Sequence, residues 1–277
     1  MKTISVIIVS YNNGLYLEKA IDSVLCQSLK PAEIIIADDA STDQSINIIN
    51  HCAELHPTIR TCIRKQNIGV SKNRDLAARQ ASGELITFLD GDDWYYPDKL
   101  KNEYQTLAET QCNVVFSDIV YVDSNNKLLT TIDTSTFPGD DLDERTKWIC
   151  NRRSPIPRDM LISKSLYIES GGFNEKLAIY EDWDFKIRLA AISGNWIHAK
   201  TNGTAYRQTG TGLSSVSLRK HLLAQINIIK INKALLIRHF GQQGYLEILF
   251  STFSRGIKRI PSRIVKEIAK RIGKKDI

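Results

Sequence analysis

The sequence is poor in cysteine, and the five it has (Cys26, Cys52, Cys62, Cys112 and Cys150) form no C-x-x-C pair and do not cluster with the five histidines. An odd, scattered set excludes a disulfide framework or a zinc site as the organising principle and favours a reducing cytosolic compartment. Long apolar runs are also missing: Ile226 to Ile237 is broken by Asn227, Lys230, Asn232 and Lys233, well short of the roughly 18 residues of a membrane span. The leading run, Ile4 to Val9, is too short for the apolar region of a signal peptide and reads as a first β-strand. No G-x-G-x-x-G follows any strand, which argues against a nicotinamide-dependent oxidoreductase. There is no internal repeat. With 42% hydrophobic and 25% charged residues, 15 Gly and 7 Pro, the chain is a globular one, not disordered or collagen-like.

A formal net charge of +6 invites a nucleic-acid reading, but it is unevenly placed. Residues 255 to 277 hold nine basic side chains against Glu267 and Asp276, a net +7, so residues 1 to 254 carry only −1. After Pro261, Ile264, Ile268 and Ile272 recur every fourth residue among Arg263, Lys266, Lys270, Arg271 and Lys274. This basic amphipathic pattern suits an anionic membrane surface, the alternative being a helix packed on the core with a solvated basic face. No aromatic residue beyond Phe253 interleaves the basic ones, so no nucleic-acid partner is expected.

The first 120 residues alternate β-branched runs at 4 to 10, 33 to 38, 58 to 64, 85 to 90 and 113 to 117 with helical patterns. Leu17, Ile21, Val24 and Leu25 define one helix, Ser41-Thr42-Asp43-Gln44 has the form of a capping box opening a second, a third fits Ser71 to Ala81, and a fourth starts at Pro97. The pattern predicts an α/β fold: a mostly parallel sheet with helices on both faces. Farther on, Ile119 to Asp123 and Lys127 to Thr131 form a hairpin around Asn125-Asn126, Glu181 to Ile192 is helical, Asn195 to Lys200 and Thr204 to Gln208 are strands, and a helical extension runs from about Val216. The expected division is a domain at 1–215, in halves at 1–117 and 118–215, followed by a basic helical extension at 216–277.

Ligands of such sheets bind beyond the carboxyl ends of the strands. That edge should gather Ser10-Tyr11-Asn12, Asp38-Asp39-Ala40-Ser41, Asn67-Ile68-Gly69 and Asp90-Gly91-Asp92-Asp93. The carboxylates of the last segment suit a hard divalent ion, Mg²⁺ or Mn²⁺, that also binds phosphate oxygens, with Gly91 letting a ligand approach the backbone; helix capping ahead of Pro97 is the plain alternative. Asp39 could accept from a base N–H or a ribose hydroxyl, and Tyr11 could stack on the base. Glu181-Asp182-Trp183-Asp184 opens a helix, where acids are favoured by the helix dipole, yet a carboxylate there could also serve as a general base. Asp184 and Arg188 are spaced for an i,i+4 ion pair.

Taken in order, Ser5 through Asn12, Ile36 through Asp43, Asn67-Ile68-Gly69-Val70-Ser71 through Arg74, Gly83-Glu84 through Asp93, Gly171 through Glu175, and Glu181 through Asp184 resemble the family 2 glycosyltransferases of the GT-A fold, over roughly residues 3 to 210. The resemblance implies inverting transfer of a sugar from a nucleotide-diphospho-sugar, UDP being the expected nucleotide, to the hydroxyl of a saccharide or lipid-linked saccharide in cell-surface polysaccharide or glycolipid synthesis. It makes 1–117 the nucleotide-binding half and 118–215 the acceptor-binding half, and assigns the donor to Ser10, Tyr11, Asn12, Asp39, Asp90, Gly91 and Arg207, the Mn²⁺ or Mg²⁺ to Asp92 with Asp90, and general-base catalysis to Asp182. With the basic tail it implies a cytoplasmic protein, peripheral on the inner face of the cell membrane. Two positions depart from the pattern. Ala40 replaces the usual glycine, implying a looser loop around Asp39, and Thr209 stands where a histidine is common. Alternatives are a nucleotidyltransferase on a similar sheet, which would want a glycine-rich phosphate loop where only Gly14 is available, and a non-catalytic nucleotide-sugar-binding scaffold, for which the carboxylates at 181 and 182 would have no use.

Overall fold

A computed structural model describes residues 2–209 and 217–258. The chain divides into two units, Met1–Thr209 and Gly210–Ile277. In the first, β1 (Ile4–Ser10), β2 (Glu33–Asp38) and β4 (Leu85–Asp90) are buried on both faces, as their unbroken Ile- and Val-rich runs require of a covered parallel sheet. Helices α1 (Leu17–Leu25), α2 (Ser45–Leu55) and α4 (Lys99–Thr110) pack against Ile4, Val6, Ile8, Ile34 and Ile36 in one cluster. Helix α3 (Val70–Gln80) packs on β1 and β2 outside that cluster, on the face to which Ile7 and Ile35 point by strand alternation. Each fully buried Ile or Leu contributes roughly 1.5–3 kcal/mol through the area it removes from water.

The nine-stranded sheet runs β3-β2-β1-β4-β8-β6-β9-β5, with β3 spanning Ile59–Ile63, β5 Trp94–Tyr95, β6 Val114–Asp123, β8 Leu161–Ser163 and β9 Trp196–Gln208; β7 (Leu128–Ile132) pairs with β6. The first four strands are parallel, β8 is antiparallel to β4 and β6, and β6 and β9 are parallel again. The α/β sheet expected from sequence is present, mixed beyond β4. Register brings the strand ends to one edge: Ser10 lies opposite Asp38 and Val9 opposite Asp90.

Three local expectations need correction. Ser41 is not a helix cap: its hydroxyl donates to Asp38 at 2.6 Å and accepts from the Asn12 N–H at 2.8 Å, while Asp43 accepts from the Ser45 N–H at 2.9 Å as α2 begins. A side chain that ties two loops cannot also fold over the helix start. The strands expected at 195–200 and 204–208 are one strand, β9, whose pairing with β6 shifts register near Asp118. The fourth helix begins at Lys99 because Asp98 is held in a left-handed conformation (φ 62°).

In the second unit, α8 (Leu218–Ile231) packs with α9 (Lys233–Lys258), which bends at Gly241, φ 68°. Ile228, Ile229, Leu236, Tyr245 and Ile248 are buried, whereas Leu246, Phe250 and Phe253, spaced along one side of α9, are exposed. The amphipathic pattern beyond Pro261 lies outside the described residues. No helix among those described is long and apolar enough to cross a membrane.

Candidate active site

The loop after β1 is latched to the loop after β2. Asn12 adopts φ 55° and its Oδ1 accepts from the Thr42 N–H at 2.8 Å. Asp39 is buried and spends one oxygen on the Ile68 N–H at 2.8 Å and the other on the Gly69 N–H at 2.9 Å, so it carries the Asn67-Ile68-Gly69 turn. Ala40 sits at φ 63°, the conformation glycine favours. The loop is therefore held by its hydrogen bonds and not looser, at a backbone cost of roughly 1–2 kcal/mol. Tyr11, half exposed, offers a free ring face at the same edge, and the Ser10 hydroxyl is buried there without a hydrogen-bond partner.

At the end of β4 the carboxylates take different surroundings. Asp90 pairs with Arg74 and with Arg158 at 3.2 Å. Asp93 points inward, accepting from Arg158 at 2.9 Å and from the Arg207 N–H at 2.8 Å; burial nonetheless pushes its pKa well up. Asp92 is bound to no other side chain among the described residues, and burial together with the neighbouring Asp90 raises its pKa. A carboxylate strained by desolvation and like charge is the chemistry a hard cation relieves, so Asp92 fits the role of ligand. Asp90 can share it only while also holding two guanidinium groups. Gly91 serves packing instead of ligand approach: a Cβ there would meet the Val9 carbonyl at 3.0 Å and Leu17 Cδ1 at 3.3 Å.

Arg207 is buried, its guanidinium donating to the Asp92 carbonyl at 2.8 Å and the Ser124 carbonyl at 3.1 Å and lying 4.1 Å from the Tyr16 ring centroid. It props the Asp92 backbone. Arg158 was not singled out from sequence, since it falls in a proline-flanked loop with no motif around it. Its guanidinium binds Asp90, Asp93 and Asp159 and covers the Tyr206 ring at 4.2 Å.

Helix α7 (Glu181–Ile192) brings the distant acids to the same place. Its start is fixed from behind: Asp75 on α3 accepts from the Tyr167 hydroxyl at 2.6 Å and the Phe173 N–H at 3.1 Å, and Phe173 stacks on Phe185 at 4.8 Å. Asp184 is buried against Arg188 at 2.7 Å, and Arg188 binds the Gly172 carbonyl at 2.6 Å, which staples the Gly171-Gly172 turn to the helix. Glu181 is buried and binds Arg74 at 2.9 Å. Arg74 thus joins Glu181 to Asp90, residues far apart in the chain. Burial raises Glu181 to about 7 despite Arg74, and Asp182 adds to the rise. Asp182 keeps half of its side-chain surface exposed and pairs with Lys186 at 3.0 Å. Burial would raise its pKa, but Lys186, Arg74 and Arg158 outweigh this and bring it to about 2.

Elsewhere, ligand atoms of Asp118, Asp133 and His198 lie within 4.8 Å of one another. Asp118 is already engaged by His198 at 2.9 Å and by the Thr134 N–H at 2.8 Å, which accounts for the group as an internal tie.

The model of the family described as "Glycosyl transferase family 2" matches residues 5–169. The chain belongs to that family. Among curated relatives, an uncharacterized glycosyltransferase of Nostoc is 36% identical over 141 residues, covering 51% of this chain and 43% of the relative. The putative teichuronic acid biosynthesis glycosyltransferase TuaG of Bacillus subtilis is 35% identical over 114 residues, 41% of this chain and 45% of its own. The chain matches between 16% and 54% of the length of curated relatives such as these. Among solved structures, S. aureus TarS 1-349 in complex with UDP-GlcNAc superimposes with a TM-score of 0.73 at 20% identity, covering 93% of this chain and 73% of TarS 1-349. That likeness is one of fold, the GT-A type α/β architecture. In the family 2 chain described here, both the strand-end acids of β4 and the start of α7 thus belong to one shared scaffold.

Proposed function

We propose that this family 2 chain is an inverting glycosyltransferase that moves a sugar from a nucleotide-diphospho-sugar to an acceptor hydroxyl with the help of Mn²⁺ or Mg²⁺. The observation that carries the reading is the Arg74 bridge between Asp90 and Glu181, because it sets a diphosphate-side carboxylate cluster beside a second one that can face an acceptor. Single displacement needs that opposition: a base on one side of the anomeric carbon and a stabilised leaving group on the other. UDP is the nucleotide favoured by the fold shared with UDP-GlcNAc-bound TarS. In this reading the exposed Tyr11 ring stacks on the base, Asp39 and Ser10 receive polar groups of the nucleoside, and Asn12 with Gly91 and Arg207 holds the loops in place. Asp92, sharing Asp90, would hold the cation, which when bound would neutralise charge developing on the departing diphosphate.

Asp182 takes the role of general base. Glu181 has the pKa better matched to neutral pH, but it is buried and its carboxylate holds Arg74. Reach decides before basicity does, and Asp182 is the exposed member of the pair. Lys186 keeps it ionised until an acceptor hydroxyl displaces that contact. The test is a panel of nucleotide sugars with Mn²⁺ or Mg²⁺, assayed for binding and transfer. Asp182→Asn should lower transfer by about 10²–10⁴ while the donor still binds, and Asp92→Asn should remove the metal dependence of donor binding. Transfer at the parent rate by Asp182→Asn would refute the assignment of the base.

Peripheral association with an anionic membrane surface, placing the protein on the inner face of the cell membrane beside a saccharide or lipid-linked acceptor, belongs to the same proposal. Residues 210–277 hold fourteen Lys and Arg against three acids, a net +11, while residues 1–209 carry −5. At about 1 kcal/mol per basic residue near such a surface, and with Leu246, Phe250 and Phe253 exposed on α9, this unit has both kinds of attraction. Sedimentation with anionic vesicles should lose most of the chain truncated after Arg255 and retain the full one; equal pelleting would remove the tail from the proposal.

A further inference from the structure

The segment after α5 (Leu142–Cys150) sets a cation against the start of α7, the helix that carries Asp182. Arg152 is partly buried, makes no ion pair among the described residues, and leaves its buried Nη1 without a hydrogen-bond acceptor. Its neighbour Asn151 likewise has a buried Oδ1 with no donor. The Arg152 guanidinium lies 4.5 Å from the Tyr180 ring centroid and 5.4 Å from that of Trp183, the residues that bracket Glu181-Asp182 in the chain. These two rings meet edge to face at 5.9 Å. Trp183 is buried and its indole N–H donates to the Ile149 carbonyl at 2.7 Å, so the platform is pinned to the end of α5.

Backbone caps fix the contact. Arg152 takes the left-handed position that ends α5 (φ 48°), its N–H donating to the Ile149 carbonyl at 2.9 Å and the Arg153 N–H to the Trp148 carbonyl at 3.1 Å, and Tyr180 is left-handed (φ 64°) where α7 begins. The guanidinium is thus held on the two rings while its Nη1 stays without an acceptor. What an aromatic-backed guanidinium is shaped to receive is a planar pair of oxyanion oxygens. The arginines near the diphosphate-side acids are already occupied, Arg74 by Asp90 and Glu181 and Arg158 by Asp90, Asp93 and Asp159. Arg74 keeps only its Nε unpartnered, whereas Arg152 makes no ion pair among the described residues and stands at the start of the helix that carries Asp182.

We propose that Arg152 is a specificity-determining residue that binds an anionic oxyacid group, phosphate or carboxylate, carried by the sugar acceptor, with Asn151 Oδ1 receiving a hydroxyl of the same molecule. The inference rests on the reading of Asp182 as the base. It is tested by calorimetric titration of the full chain with glycerol 3-phosphate and with glucuronate, each against its neutral counterpart, glycerol or glucose. At least one anion should bind about tenfold or more tightly than its counterpart, as a charge-assisted pair provides. Arg152→Gln should erase the preference, and Arg152→Lys, which keeps the charge without the fork, should retain part of it; if the Gln variant does not fold, the Lys variant carries the comparison. In transfer assays the ratio of kcat/KM for an anionic over a neutral acceptor should fall about tenfold in Arg152→Gln. The proposal is overturned if neither anion is preferred or if the preference survives Arg152→Gln. Arg152-dependent anion binding in a chain that turns over no nucleotide sugar would overturn the acceptor assignment together with the enzyme reading. Turnover without anion preference would sink this proposal alone.

Discussion

The two ends of the parallel sheet are built on opposite terms. At the amino end, Glu33 is buried, yet both oxygens are satisfied: the hydroxyls of Ser5 and Ser82 donate at 2.6 and 2.7 Å, Arg60 at 2.8 Å, and the Ser82 N–H adds a further bond. Gly83 closes the knot, donating to Ser5 Oγ at 2.8 Å where a Cβ would collide with the Ser5 backbone. Burial would raise Glu33, but these bonds outweigh it and pull its pKa to about 2. At the carboxyl end, burial prevails. Glu181 rises to about 7 and Asp92 and Asp93 rise as well, while Ser10 Oγ and Arg74 Nε are buried without partners. Equal burial, opposite satisfaction: one end of the sheet is finished by its own sequence, and the other is left to be completed by what binds there.

Removing the charge at the finished end should have the largest effect. Glu33→Gln should destabilise the fold by about 2 kcal/mol at pH 7. Because the folded pKa is depressed, that contribution is present above the ordinary Glu value and lost as pH falls toward 2, so urea unfolding of the two proteins should converge at low pH. A constant difference from pH 7 to pH 3 would mean that packing, not charge, is what Glu33 provides.

The open end should show the reverse slope. With Glu181 raised to about 7, folding takes up a proton between about pH 4.5 and 7, so this group makes stability decline as pH rises through that window. Glu181→Gln should flatten the decline by roughly 1–2 kcal/mol, read from denaturation midpoints at pH 5 and 8. A smaller change is expected from Lys186→Gln. Since Lys186 lowers the pKa of Asp182, its loss should move the acid limb of kcat/KM upward by about a unit. An unmoved limb would show that a different group titrates in catalysis. The least effect belongs to the β2 loop: Ala40→Gly relieves the left-handed strain at φ 63° and should raise stability by about 0.5–1 kcal/mol, with donor affinity unchanged.

What could be read in advance follows the same division. β1, β2 and β4 were legible because two-sided burial writes itself as uninterrupted Ile and Val, and α7 because acids favoured in a first helical turn open it; its bounds, Glu181–Ile192, are those the sequence suggests. Local motifs were less reliable. Ser41-Thr42-Asp43-Gln44 has the letters of a capping box, but long-range bonds to Asn12 and Asp38 outcompete the local one. Gly91 reads as a ligand-facing glycine, whereas the Val9 carbonyl fills that space. Arg158 and Arg152 left no signal, because their partners come from three distant segments, at 90–93, 180–183 and 206, and no spacing records them.

Those two arginines share one short stretch of chain. Arg158 ties the β4 acids together, and Arg152 stands at the entrance to α7. Five residues separate the arginine that gathers the β4 acids from the one proposed to meet the acceptor, and two of the five, Pro155 and Pro157, are buried. An insertion or deletion within this stretch would shift both arginines together, so the two sides of the site are coupled through the length of one loop.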